Sequence, residues 1–221
     1  MLLEEERTPV ARYPSDQLSV FARGEISKLL LGTYFSTPPL KSVMFSGVEA
    51  DDGAKWIAAC AADALAETGS VRVCLVDADL QSPTIHNIYS IPNGKGLSAL
   101  LRGEGHDGTT VRVAENLWIV PAGTTSREVN FSADSFRKVA SELLESCDCL
   151  VISAPDYENY LEIGAVGAAA DGSVLVLDAE KTRRITAQQA KASLEAAKIR
   201  VLGSVLNNRN QPIPDLFYSH T

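Results

Sequence analysis

The chain of 221 residues carries 20 Lys and Arg against 28 Asp and Glu, which gives a formal net charge of −8. This acidic balance argues against nucleic acid or an anionic membrane surface as the main partner. Hydrophobic residues make up 45% of the chain, yet no apolar run reaches the roughly 18 residues of a membrane span. The composition therefore predicts a globular, cytoplasmic protein with no direct membrane insertion.

The N-terminal and C-terminal segments differ from the rest of the chain. Residues 1–15 form an acidic stretch with two prolines, which predicts a mobile leader and is too charged for a signal peptide. One domain is expected over residues 16–209, followed by a tail over 210–221. The cysteines form no C-x-x-C pair and the three histidines are scattered, so we expect reduced, buried thiols and no zinc site; the cysteines are Cys60, Cys74, Cys147 and Cys149.

Helical and strand patterns alternate through the expected domain. Apolar residues at helical spacing predict helices over 16–31, 54–68, 133–145, 160–170 and 182–197. Short apolar runs predict buried strands over 41–46, 71–76, 117–121, 149–152, 173–177 and 201–206. This alternation predicts the α/β class, with a mostly parallel central sheet and helices on both faces.

The most specific stretch begins with the strand Val71–Val76. It ends in two carboxylates, Asp77 and Asp79, at the carboxyl end of the strand, which is where open α/β sheets bind ligands. The residues that follow add Leu80, Pro83, His86, Gly96, Leu97, Ser98 and Leu101 at fixed spacing. The paired carboxylates are therefore candidate catalytic or metal-binding residues.

This stretch resembles the second Walker signature of the bacterial tyrosine kinases of capsule and exopolysaccharide systems, D-x-D-L-R-x-P-x-x-H followed by G-L-S-x-x-L. More distantly it resembles the ParA and MinD class of P-loop ATPases. The resemblance extends from about residue 16 to residue 209, with Gln81 where arginine is common. It implies a three-layer P-loop NTPase-like fold, and in an active member it implies ATP or ADP with Mg²⁺ held by Asp77 and Asp79.

The expected phosphate loop departs from the P-loop spacing G-x-x-x-x-G-K-[ST]. An ungapped alignment of SGVEADDGAKW keeps Gly53 but places Ala54 at the lysine and Lys55 at the Mg²⁺-binding hydroxyl. A rival frame, with one inserted residue, moves Lys55 to the lysine position and Trp56 to the hydroxyl. Three carboxylates, Glu49, Asp51 and Asp52, also oppose a polyphosphate. Gly47, Gly53 and Lys55 remain candidates for a vestigial or weak nucleotide site.

The metal-positioning aspartate and the C-terminal tyrosine cluster of the family pattern are altered, whereas the asparagine after the last strand is retained. Ser153 stands where the resemblance places a metal-positioning aspartate, and Asp156, three positions on, is a possible substitute ligand for Mg²⁺. In relatives the asparagine after the last strand contacts adenine, so Asn207 and Arg209 form either a weak nucleoside site or an ordinary strand end. The tail holds Tyr218 alone instead of a tyrosine cluster.

Together these departures predict a catalytically degenerate member of the group with no nucleotide cofactor. By resemblance it would be a regulatory or scaffold subunit that docks on a membrane-anchored polysaccharide chain-length regulator or an active kinase. The alternative is an active ATPase or tyrosine kinase with a rebuilt loop, and a third possibility is a ParA- or MinD-type positioning module. Glu25 and Lys28 retain part of the pattern that packs kinase subunits, so a homo-oligomer is also considered.

Overall fold

The computed structural model describes residues 13–49, 52–124, 129, 131–155 and 160–209, without the side chains of residues 160 and 161. A 3₁₀ turn over Pro14–Gln17 precedes the first α-helix. The α-helices are α1 Val20–Gly32, α2 Ala54–Glu67, α3 Ile85–Ile88, α4 Leu97–Leu101, α5 Ala133–Leu144, α6 Tyr160–Gly167 and α7 Arg184–Ala196. The strands are β1 Ser42–Gly47, β2 Val73–Asp77, β3 Val111–Ala114, β4 Leu117–Val120, β5 Cys149–Ser153, β6 Gly172–Asp178 and β7 Val201–Asn207.

The strands form one sheet in the order β3-β4-β2-β5-β1-β6-β7. Only β3 runs antiparallel to its neighbour among these strands, so the predicted mostly parallel α/β architecture is confirmed. In the central register Asp77 lies opposite Ser153, and Ser153 lies opposite Phe45. Because parallel strands all end at the same edge, the loops after β1, β2, β5, β6 and β7 gather there.

Each face of the sheet is covered by its own group of helices. Val43 and Phe45 point toward one core, which also contains apolar residues of α1, α2 and α3. Met44, between them in the strand, points toward the other core, together with residues of α4, α5, α6 and α7. This alternation is the period of two that a strand imposes on its side chains. The result is the expected three-layer arrangement.

The first predicted helix is divided at its start. Pro14–Gln17 is a 3₁₀ turn, and α1 begins only after Ser19, whose side-chain oxygen accepts a hydrogen bond from the backbone N–H of Ala22 at 3.2 Å. Ser15 is buried and donates its backbone N–H to Asp63 at 3.0 Å. Residues 13–15 therefore pack on the domain, although we placed them in the leader. The rest of the expected leader, and the tail over 210–221, lie outside the described residues.

Sequence periodicity missed the shortest elements. Strand β3 has four residues and lies at an edge of the sheet, where Arg112 stacks over the ring of Trp118 at 5.2 Å. An edge strand with a polar residue facing solvent carries no continuous apolar run. Helices α3 and α4 have four and five residues, too few to show a helical period.

All four cysteines lie in the described part of the chain, where they are free and buried as expected. Among the described residues, no helix has the length and apolar character needed to cross a bilayer.

Candidate nucleotide site

The loop between β1 and α2 is filled by one of its own side chains. Asp52 is 2% exposed, and its Oδ2 accepts hydrogen bonds from the backbone N–H groups of Val48 at 2.7 Å and Glu49 at 3.4 Å. Its Oδ1 accepts from the N–H of Ala54, the first residue of α2, at 3.0 Å. These amides lie where a phosphate loop turns its N–H groups toward an anion. Here the carboxylate of Asp52 takes their hydrogen bonds.

Two glycines make this arrangement possible. A Cβ placed on Gly47 would come within 2.5 to 2.8 Å of the Asp52 carboxylate, so the missing side chain leaves the space that the carboxylate occupies. Gly53, directly before α2, has φ of +86°, a conformation that favours glycine. A Cβ there would collide with the side-chain amide of Asn207. Both residues, expected near a nucleotide, instead accommodate neighbouring side chains.

Asn207 closes the loop from the end of β7. Its Nδ2 donates to the backbone carbonyl of Asp52 at 2.9 Å. The structure thus brings Asn207 together with Gly47 and Gly53, and uses its amide to hold the loop. Arg209 is exposed and lines a groove of about 890 Å³ between α1, Trp56 and β7. Both residues predicted for a nucleoside site line this groove, and Asn207 also contacts the loop.

Lys55 points away from the interior of the loop. Its Nζ lies 2.7 Å from Oδ2 of Asp79 and donates to the carbonyl of Ser82 at 2.6 Å. The ion pair is largely enclosed, with 17% of the Lys55 side chain and 2% of the Asp79 side chain exposed. Asp79 also accepts the backbone N–H groups of Gln81 and Ser82 through its Oδ1. Lys55 and Asp79 therefore join α2 to the segment that follows β2.

Asp77 is fully buried at the end of β2. Its Oδ2 accepts from the backbone N–H groups of Thr84 at 3.1 Å and Ile85 at 3.0 Å, and its Oδ1 from the N–H of Asp79 at 3.3 Å. Burial raises the pKa of Asp77 to about 6, against the opposing effects of these amides and of the Lys55 charge. Both carboxylates of the D-x-D pair are thus used to fix the chain between β2 and α3.

The third expected metal-binding position has no charge. Ser153 is fully buried beside Asp77, and within the described part of the chain its hydroxyl has no hydrogen-bond partner. Asp156, the possible substitute, lies outside the described residues. Among those described, no group of three or more His, Cys, Asp and Glu side chains could hold a metal ion. Asp77 and Asp79 are therefore the carboxylates described at this position, and both accept backbone N–H groups of the segment that follows β2.

A second acidic residue of the loop also forms a hydrogen bond inside the protein. Glu49 accepts a hydrogen bond from the hydroxyl of Thr182 at 3.0 Å, which links the loop to the segment between β6 and α7. Nearby, a hydrogen bond from the Asn208 amide lowers the pKa of Asp178. Asp51 lies outside the described residues. Of the three carboxylates expected to repel a polyphosphate, Asp52 and Glu49 therefore form hydrogen bonds inside the protein.

The motif Gly96-Leu97-Ser98, which matches the family pattern, contacts the loop after β4. The backbone N–H groups of Leu97 and Ser98 donate to the carbonyls of Pro121 and Ala122 at 2.8 and 2.9 Å. A Cβ on Gly96 would collide with the Pro121 carbonyl, so the close approach of the two segments requires glycine. This motif joins the start of α4 to the loop after β4.

Asp52 is the site residue whose role sequence reasoning missed, since it was interpreted only as a repulsive charge. One signal pointed to it: Asp52 is followed by Gly53, the pair most suited to a side chain that hydrogen-bonds nearby backbone N–H groups. A second missed group is Asp63, which lies in the alanine-rich buried face of α2. It accepts the hydroxyl of Tyr89 at 2.6 Å, and burial raises its pKa to about 6.

Comparison of sequences shows which proteins this chain is similar to. It is 28% identical to the CapB protein of Staphylococcus aureus over 198 residues, covering 88% of this chain and 86% of CapB. It is 28% identical to the tyrosine-protein kinase YwqD of Bacillus subtilis over 174 residues, covering 77% of this chain and 73% of YwqD. No family model matches the chain.

Comparison of structures agrees with the fold described above. The chimerical protein CapA2B2 superposes with a TM-score of 0.80 at 21% identity, covering 92% of this chain and 93% of that one. The kinase domain of the Escherichia coli tyrosine kinase ETK gives a TM-score of 0.79 at 18% identity, covering 96% and 87%. The chain is therefore a homologue of bacterial tyrosine-protein kinases, and it has the mostly parallel α/β fold of the P-loop NTPases.

Proposed function

We propose that this protein is a catalytically degenerate relative of the bacterial tyrosine kinases and acts as a cytoplasmic regulatory or scaffold subunit in capsule or exopolysaccharide assembly. The observation that carries the proposal is the position of Lys55. Its ammonium group is held by Asp79 and the Ser82 carbonyl, both on the segment after β2. In this position it neutralises a buried carboxylate of the protein instead of a phosphate.

Phosphoryl transfer to a tyrosine needs a cradle for the phosphates, a cation to neutralise them and a bound metal. Each requirement lacks a group here. The cradle amides bind Asp52, the lysine binds Asp79, and Ser153 offers no charge to a hard cation. Because the three losses fall on different elements, a single side-chain rotation does not restore the site.

A scaffold role requires an accessible surface, and α1 offers one. Val20 is 89% exposed, Phe21 55% and Leu31 63%, so large apolar side chains project from this helix into solvent. The Glu25–Lys28 pair, joined at 2.7 Å, lies on the same helix. By analogy with the kinase homologues, we propose that the partner is a membrane-anchored chain-length regulator or an active kinase, and that α1 also allows self-association.

The direct test of lost catalysis is calorimetric titration with ATP and with ADP, with and without Mg²⁺. We expect no binding heat at millimolar nucleotide. The matched control is the quadruple variant Asp52→Ala, Ala54→Lys, Lys55→Ser, Ser153→Asp, which frees the loop amides and restores the lysine, the hydroxyl and the aspartate of the ungapped frame. A dissociation constant in the micromolar range for the unmodified protein, dependent on Mg²⁺, would refute the proposal.

The partner is tested by co-purification. The protein is immobilised and presented with the cytoplasmic segment of a membrane-anchored chain-length regulator from the same cell. We expect the unmodified protein to be retained and the variant with serine at positions Val20, Phe21 and Leu31 to be lost, because the substitutions remove the apolar surface of α1. The three side chains are exposed, so their replacement leaves the core intact. Equal retention by both forms would exclude α1 as the docking surface, and no retention at all would contradict the proposed partner.

The alternative is an active kinase or ATPase with a rebuilt loop. It is favoured by the survival of Asp77 and Asp79 at the end of β2, where an active member would hold Mg²⁺. Its signature is magnesium-dependent turnover that Asp79→Asn abolishes in a variant shown by circular dichroism to be folded. A positioning module of the ParA or MinD type would also need this nucleotide site, and the same titration tests it.

A further inference from the structure

We propose that an open cavity between α4, the loop that follows it and α5 binds a small organic carboxylate. The cavity, called here the α4–α5 cavity, has a volume of about 430 Å³, which lies in the range of small-molecule sites. None of its lining residues belongs to the loop between β1 and α2, to α1 or to β7. The site is therefore independent of the candidate nucleotide site and of the proposed docking helix.

The loop after α4 brings two basic side chains to the cavity. Arg102 directly follows α4, and His106 comes four residues later. Between them Gly103 and Gly105 have φ of +72° and +87°, a conformation that favours glycine. These glycines let the chain turn sharply over a few residues, and both basic side chains line the α4–α5 cavity.

Each of the two basic side chains has a buried nitrogen that finds no hydrogen-bond partner in the described part of the chain. The atoms are Nη1 of Arg102 and Nδ1 of His106. Only 17% of the Arg102 side chain is exposed. A buried N–H group without an acceptor costs free energy, and an acceptor oxygen on a ligand removes that cost. The two nitrogens indicate that the cavity takes an acceptor from outside the protein.

The other nitrogens of these side chains are already paired, which fixes both groups at the cavity. Nε and Nη2 of Arg102 donate to the carboxylate of Glu104 at 2.7 and 3.3 Å. Nε2 of His106 lies 3.3 Å from Oε2 of Glu142. The other oxygen of Glu142 lies 3.9 Å from Nζ of Lys138, which also lines the cavity. A ligand would therefore meet donors whose positions are set before it binds.

The charges around the cavity favour a ligand with a single negative charge. The cationic Arg102 and Lys138 side chains are balanced by two carboxylates, those of Glu104 and Glu142. Protonation of His106 adds one positive charge, and the protonated ring donates through both nitrogens, to Glu142 and to the ligand. A carboxylate supplies the matching charge and two acceptor oxygens. A phosphate dianion would bring one charge more than the cavity balances.

The remaining walls fit a hydrocarbon group. Leu100 and Leu101 of the α4 side and Val139 of α5 line the cavity, and all three belong to one core of the domain. Each methylene that a ligand buries against such walls raises its affinity by about fourfold. The proposed ligand is therefore a small aliphatic acid, with its carboxylate at Arg102 and His106.

The experiment is an NMR titration of the full chain with sodium butanoate, at ionic strength held constant with sodium chloride. The protein carries ¹³C-labelled leucine and valine methyl groups. We expect the shifted signals to be those of Leu100, Leu101 and Val139, together with the imidazole signals of His106. Acetate should bind about fourfold more weakly or worse, because it lacks two methylene groups. Neutral butanamide should cause no shift.

Two variants test the donors. Arg102→Gln removes the guanidinium and should weaken butanoate binding at least about tenfold. His106→Gln should weaken it as well, and its side chain is 36% exposed, so this variant serves if Arg102→Gln does not fold. The matched control is Arg72→Gln. Arg72 donates Nε and Nη2 to Asp148 at 3.1 and 2.9 Å but lies outside the cavity, so the same change in net charge should leave affinity unchanged.

Several results would overturn the proposal. They are an absence of shifts at the cavity, equal binding of butanamide, or equal weakening by Arg72→Gln and Arg102→Gln. Inorganic phosphate that bound more tightly than butanoate would overturn the assignment to a carboxylate. Nucleotide titration and partner retention are decided by other residues, so the proposed function stands or fails separately.

Discussion

The position of Lys55 leads to a prediction that separates a structural lysine from a nucleotide-binding one. In Lys55→Met the aliphatic stem is kept and the charge is removed. If the lysine serves to hold the segment after β2, this change lowers the stability of the nucleotide-free protein. A lysine that served to bind a nucleotide would instead contribute to nucleotide affinity and little to the stability of the nucleotide-free protein.

The expected magnitude follows from the geometry of the ion pair. Unit charges separated by the observed 2.7 Å attract by about 6 kcal/mol at an effective dielectric constant of about 20, and desolvation of both groups offsets much of this. Without Lys55, Asp79 keeps two backbone N–H donors but remains buried as an uncompensated charge. We therefore expect a loss of about 2 to 4 kcal/mol in the free energy of unfolding.

The measurement is urea denaturation at neutral pH without nucleotide, for the unmodified protein and for Lys55→Met. Lys28→Met is the control, because Lys28 pairs with Glu25 at the same 2.7 Å but its side chain is 74% exposed. An exposed pair contributes at most about 1 kcal/mol. Equal losses for the two variants, or no loss for Lys55→Met, would show that the Lys55–Asp79 contact does not stabilise the domain and would refute this reasoning.

Further predictions concern buried groups around α2. Burial raises the pKa of Asp63 to about 6, so the stability that its protonated form contributes is present below about pH 4 and is lost as the pH rises through 6. Asp63→Asn does not titrate. In denaturation curves its free energy of unfolding should therefore rise by about 3 kcal/mol relative to that of the unmodified protein between pH 4 and 7. A constant difference across that range would contradict this assignment. Tyr89→Phe removes the hydrogen bond that favours the Asp63 carboxylate, so we expect a loss of about 1 to 3 kcal/mol at pH 7 and a higher pKa, both readable from the same curves. Gly53→Ala should lower the thermal midpoint more than Gly69→Ala does. Both glycines have a positive φ, but a Cβ on Gly53 collides with Asn207, whereas the space around Gly69 is open. Equal midpoints for the two variants would exclude the collision.

Much of the fold was predictable because buried parallel strands and long helices have clear sequence periods. Helix α2 was expected over 54–68 and extends over Ala54–Glu67, and its end at Gly69 agrees with the positive φ of that glycine. The order of the strands was not predicted: only the structure shows that β2 pairs with β5 and that Asp77 lies opposite Ser153.

The candidate site was less predictable, because its contacts depend on where short side chains turn. The alignment showed that the lysine position was altered, but not that Lys55 would reach Asp79 and Ser82. Nor did the cluster of acidic residues show that Asp52 would turn inward while Glu49 reached Thr182. The turn of Asp52 depends on backbone torsions in the loop, at Gly53 above all, whereas the contact of Glu49 with Thr182 and that of Asn207 with Asp52 join residues more than 100 positions apart. Neither is expressed in local sequence periods.

The hydrogen bonds of the Gly-Leu-Ser motif have a consequence for how related chains are recognised. In this protein the motif attaches α4 to the loop after β4, and none of those contacts involves the loop between β1 and α2. Selection for folding alone would be enough to keep such a motif after a lineage had lost phosphoryl transfer. A search pattern built on Gly96, Leu97 and Ser98 would therefore identify chains that share this fold and ancestry. Whether such a chain can still bind a nucleotide would have to be judged separately, from the residues that correspond to 47–55.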